Sequence, residues 1–138
     1  MTPSNIPTFS YFRLWFGFIG SAITWVIHFF LIWFISEMGC LSGLGDQTLL
    51  GINSVVALIL LMTIPLLLIT VASGMLSYGI WRQIQDIERQ SAPDQGIVYA
   101  ALERQRFMAI FGSLAAILFG VIIMLQTVPL FTVPVCGA

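Results

Sequence analysis

Three long apolar runs dominate the chain. The first extends from about Tyr11 to Met38 and is interrupted only by Arg13 near its start and His28 inside it. The second runs from Gln47 or Thr48 to about Trp81, and the third from Phe107 to about Val128, ending at Pro129. A helix rises about 1.5 Å per residue, so about 20 apolar residues cross a hydrocarbon core of about 30 Å. Hydrocarbon cannot solvate bare peptide groups, so each run is expected to cross as a helix. The predicted fold is an all-α integral membrane protein with three transmembrane helices, spanning about 11–38, 48–81 and 107–128.

The intervening segments fix the turns. Residues 39–46 hold three glycines, Gly39, Gly43 and Gly45, and end in Asp46, which predicts a tight link with Asp46 capping the second helix. At some 33 residues the second run exceeds a perpendicular span, so tilt or a bend is expected, with Pro65 its site. From Arg82 the chain turns polar but keeps helical spacing: Ile80, Ile84 and Ile87 share one side, with Asp86, Glu88 and Arg89 around it. Ser91 to Gly96 reads as a break, and Asp94 as the cap of a helix running through Tyr99, Leu102 and Arg106 into the last span. Residues 82–106 are therefore predicted to form a helical hairpin extending into the cytoplasm.

Composition narrows the class. Of 138 residues, 59% are hydrophobic and 8% charged, with a mean hydropathy of +1.01, so lipid is the expected solvent and residues 1–138 a single membrane domain. A net charge of −1 and five scattered basic residues leave no cationic surface for nucleic acid. Met1 to Ser10 carries no positive charge and no small-x-small site follows the long first run, so the first span is expected to stay in the mature chain.

Arg82, Arg89, Arg104 and Arg106 all lie between spans two and three, and Arg13 precedes span one, whereas 39–46 and the tail hold no basic residue. The bias of short loops places the N-terminus and the hairpin in the cytoplasm and the C-terminus outside. Cys40 and Cys136 then share the outer face. In an oxidising periplasm they are candidates for a disulfide that closes a loop of about 95 residues, worth about 4 kcal/mol in the chain-entropy model. Two unpaired apolar cysteines, or a metal pair short of ligands, are the competing readings.

Inside the spans, Gly17, Ser21, Thr24 and His28 form one stripe, with Trp25 beside His28; Gly112, Ala116 and Gly120 form a second. Thr63, Thr70, Ser73, Gly74 and Ser77 mark a face of span two. These rows predict helix packing, within the chain or against a partner. His28 is the one ionisable residue deep in a span. It is either a neutral imidazole bonded to a neighbouring helix or, on the functional reading, a haem ligand or proton relay. Glu37 and Asn53 are expected at similar height, within reach of one hydrogen bond, and Gln126 is expected to complete a polar layer. Trp15, Trp33 and Trp81 fall near the interfaces. The sequence offers no nucleophile with a base, paired carboxylates or phosphate loop. The expectation is a non-enzyme with no cofactor of its own.

The stretch Trp25-Val26-Ile27-His28-Phe29, followed by Glu37-x-x-Cys40, and the ending Gln126-Thr127-Val128-Pro129 through Pro134-Val135-Cys136 resemble a group of small bacterial membrane proteins associated with haem-copper cytochrome oxidases and related respiratory complexes. The likeness covers roughly residues 20–40 and 107–136. It implies an accessory subunit or assembly partner in a bacterial inner membrane, packed against other membrane subunits and lipids. Any haem or quinone would belong to the parent complex. Two other readings remain open: a haem or quinone protein that uses His28 as a dimer, and a small oligomeric carrier or channel lined by Thr63, Thr70 or Ser77.

Overall fold

A computed structural model of the chain describes residues 11–49, 51–90, 96–133 and 136. Three long helices dominate it: α1 (Tyr11–Leu41), α2 (Ser54–Gln90) and α3 (Gly96–Thr127), with a short α4 (Pro129–Thr132) turning off the end of α3. Three stretches, Phe12–Leu41, Ser54–Arg89 and Ala100–Thr132, are long and apolar enough to cross a membrane. Each helix packs on the other two in an up-down-up bundle. Near one end Gly39 of α1 meets Val55 of α2; toward the other, Ser73 of α2 bonds to Gly17 of α1.

The burial pattern is that of a protein built for lipid. Ser21, Thr24, His28, Thr63, Thr70, Ser73 and Ser77 are buried, while Phe30, Trp33, Leu61, Leu68, Ile117 and Leu125 lie on the outside. Lipid tails are as apolar as leucine, so apolar burial gives these helices little reason to associate; close approach of small residues and interhelical hydrogen bonds take that role. The buried hydroxyls of Thr24, Thr63 and Thr70 each donate to a carbonyl four residues earlier, at 2.7, 2.8 and 3.0 Å, which satisfies them without water.

Beyond the most apolar stretches α2 and α3 simply continue. Residues 82–90 and 96–106 are helical, and Ile80 and Ile84 of α2, Leu102 and Ala109 of α3 and Leu14 of α1 form one buried cluster, with Trp81, Ile87 and Met108 packed around it. Arg106 and Glu88 add an ion pair at 3.3 Å on its surface. The break at 91–95, including the expected cap Asp94, lies outside the described residues.

The link between α1 and α2 differs from expectation. Helix α1 runs through Gly39 to Leu41, and Gly43, at φ +75°, turns the chain into a 3-10 turn at Leu44–Asp46. Two short strands, β1 (Thr48–Leu49) and β2 (Ile52–Asn53), then pair antiparallel, with Gly51 at φ +81° in the bend. Helix α2 therefore begins at Ser54, not at 47 or 48, and Asp46 does not cap it. Asn53 does: its Oδ1 accepts the Val55 N–H at 2.9 Å while its Nδ2 donates to the Gly45 carbonyl at 2.6 Å. With both ends of the amide engaged, Asn53 makes no hydrogen bond to Glu37, one of the two readings the sequence left open, and Glu37 is exposed. Pro65 sits inside α2, which continues through it.

Candidate functional site

The chemistry-bearing residues of all three helices converge on the bundle axis. The stripe read along α1 faces inward over its whole length: Gly17, Ser21, Thr24 and His28 are buried, His28 only 1% exposed. At its Arg-rich end the three helices come closest. The Gly112 Cα of α3 faces the Gly17 carbonyl of α1 so tightly that an added Cβ would lie 2.5 Å from that oxygen, and the Ser77 side chain of α2 wedges against both glycines. One turn further in, the Ser73 hydroxyl donates to the carbonyls of Phe16 and Gly17 at 3.1 and 3.3 Å, so α2 is hydrogen-bonded directly to the backbone of α1. Gly74 of α2 meets Ala116 of α3, and Gly120 lies beside Thr70.

The polar layer sits farther along the axis. His28 Nε2 lies 3.0 Å from the Thr63 hydroxyl. That hydroxyl has one proton, which goes to the Ile59 carbonyl at 2.8 Å, so toward His28 it accepts. The network thus assigns the Nε2–H form to the imidazole and leaves Nδ1 as a lone pair. The Gln126 side chain of α3 approaches the same ring without making a hydrogen bond to it. One residue from each helix, His28, Thr63 and Gln126, therefore meets in a single layer. Trp25, one turn before His28, stacks on Phe119 of α3 at 5.4 Å. Among the described residues, His28 Nδ1, Gln126 Oε1, Trp25 Nε1 and Ser21 Oγ are buried with no hydrogen-bond partner. In hydrocarbon each such atom is costly, which confines them to the protein interior and away from the lipid face.

On the opposite end from the arginines, Cys40 at the end of α1 and Cys136 beyond α4 are joined as a disulfide, Cα atoms 5.4 Å apart across a sequence separation of 96. Gly45 of the 3-10 turn lies beneath it, where a Cβ would sit 2.5 Å from the Cys136 sulfur. The geometry is that of the disulfide, the first of the readings the sequence left open for these cysteines. Arg82, Arg89 and Arg104 are exposed at the other end, and Arg106 holds Glu88. Among the described residues no three His, Cys, Asp or Glu side chains gather as a metal site.

The sequence stripe told which face of α1 turns inward but not what it would meet. Thr63 as the partner of His28 and Ser73 as the α2 donor to α1 required the register between helices. The positions sum to a near-constant value along an antiparallel pair (28 with 63, 20 with 73, 17 with 77), so the two rows of small and polar residues could have been aligned by that rule once a single pairing was known.

Fold and site together define a polytopic membrane protein: three antiparallel helices around a sealed polar axis, clamped at one end by a disulfide. Compared with known proteins, the chain matches no protein-family model, no curated protein and no solved structure.

Proposed function

We propose that the chain is a non-catalytic accessory subunit of a bacterial respiratory complex of the cytochrome-oxidase or quinol-oxidising type, held in the inner membrane with its N-terminus and arginine-bearing hairpin in the cytoplasm. The observation that carries the reading is the use made of His28. The one ionisable side chain deep in the described spans is sealed inside the bundle and donates a hydrogen bond to Thr63, a positioning role that binds α1 to α2. What the protein presents outward is a shaped apolar surface, fit for contact with lipid and with other membrane subunits. The respiratory assignment rests on the resemblance of the His28 and Cys136 segments; it would make the chain a stabiliser of the assembly that shields or shapes a quinone or proton entry path.

The two alternatives draw less support. A haem held between two copies would need imidazoles that reach the surface, and this one is enclosed with Nε2 engaged. A carrier would need a polar path, whereas the Thr63 and Thr70 hydroxyls are turned to their own backbone and Ser77 is wedged between glycines.

The test is affinity purification of the full chain from native bacterial membranes in mild detergent, followed by haem staining and identification of companions. Haem-bearing subunits retained in fixed proportion are the expected result. A chain that emerges monomeric and free of such companions would overturn the proposal.

A further inference from the structure

Outside the polar axis, a groove of about 940 Å³ opens to the lipid between α2 and α3. Its walls are apolar and its floor is made of small residues, Gly74, Gly79 and Ala116 among them, so the two helices leave a channel where larger side chains would close it. Gly79 has open space where a Cβ would project. At one end stand Tyr78 and Arg82; the other end closes at Leu67 and Leu125.

Two features identify an occupant. From Leu67 to Arg82 the groove follows about 22 Å of helix at roughly 1.5 Å per residue. One leaflet, counting headgroups, is about 20–22 Å deep, half of a bilayer of roughly 40–45 Å. A partner helix crossing the membrane would need a seat through both leaflets, and this one ends near the middle of α2. The mouth also carries a cation. Arg82 is exposed, has no ion-pair partner among the described residues, and lies where the arginine-bearing loop leaves the apolar stretch. A guanidinium presents a planar fork that matches a phosphate and sits on a stem apolar enough to lie along the groove wall.

We propose that this groove is a binding site for one anionic phospholipid from the leaflet on the arginine side, its acyl chain laid over Gly79 and Gly74 and its phosphate held by Arg82. The proposal rests on membrane residence and not on the respiratory reading. Single-chain occupancy would also complete the lipid-facing contour of the bundle, so that a neighbouring subunit would meet a smooth surface.

Native mass spectrometry of the full chain released from mild detergent, titrated with phosphatidylglycerol or with phosphatidylcholine of the same acyl chains, tests it. The expected result is one retained phosphatidylglycerol per chain, preferred about fivefold over phosphatidylcholine, the scale of one arginine at an anionic surface. Arg82→Gln should erase that preference, whereas Arg104→Gln, which removes the same charge away from the groove, should leave it intact. Gly79→Leu, whose Cβ would meet nothing in the bundle, projects its side chain into the channel and should release both lipids. Equal retention of the two lipids by the unaltered chain, a preference that survives Arg82→Gln, or retention unaffected by Gly79→Leu would each overturn the proposal. So would a dimer, free of lipid, that Gly79→Leu splits into monomers, since a second copy would then be the occupant.

Discussion

At Gly112 the close approach to the Gly17 carbonyl sets the distance between α3 and α1, and the atom in the way of any side chain is backbone, which cannot rotate aside. Gly112→Ala should therefore separate the helices and lower stability by more than about 2 kcal/mol, the scale of overpacking in a tight core. Gly79→Ala, where a Cβ meets nothing, should stay within about 0.5 kcal/mol of the parent; thermal unfolding in detergent separates the two outcomes. His28 and Thr63 make a gentler prediction. A double-mutant cycle of His28→Phe and Thr63→Val should return a coupling of about 0.6 kcal/mol, typical of hydrogen bonds between membrane helices. Zero coupling would show that the bond at 3.0 Å contributes nothing to holding α1 against α2. The inward face of His28 could be read from its spacing with Gly17, Ser21 and Thr24. Its partner could not, because helical periodicity fixes direction around one axis and says nothing of the register between two.

Among the elements, the link between α1 and α2 shows where a reading of apolar runs fails. Leu49 and Ile52 read as the start of the second run, but strands of two residues are too short to show a period, and the turn that pairs them depends on Gly51 adopting a positive φ. Asp46 and Asn53 are both good helix caps by residue type; the one that ends the ribbon, directly before the true start of α2, takes the role. The three spans and the side of α2 that carries Ile80, Ile84 and Ile87 were legible because long amphipathic and apolar periods are strong signals; that Leu102 of α3 packs on it was not. The disulfide closes one end of the bundle by tying α1 to the segment after α4. Cys40→Ser should lower stability by about 4 kcal/mol where the parent is oxidised. Reductant should produce a loss of the same size in the parent and none in the variant, seen as a shift of the detergent unfolding curve. The Arg106–Glu88 pair, with side chains 44% and 26% exposed, is worth far less. Glu88→Gln is expected to shift the same curve by at most about 0.5 kcal/mol.

For the molecule as a whole, the inverted distribution of polar and apolar residues and the odd number of long helices lead to one arrangement. The ribbon between α1 and α2 lies at one end of the bundle, and the arginine-bearing ends of α2 and α3 lie at the other. Composition made membrane residence plain from the sequence, and the arginine bias set an expected direction. The sealed polar axis and the one-leaflet groove emerged only when the helices were brought together, because both are spaces between elements. The direct measurement is site-specific labelling of single cysteines, introduced as Asp46→Cys or Asp86→Cys in a chain whose Cys40 and Cys136 are replaced by serine. Each is treated with a membrane-impermeant maleimide in intact bacterial cells whose outer membrane has been made permeable. Residue 46 should label at once and residue 86 only after the inner membrane is opened. Labelling of both positions from the same side would contradict the three-span account.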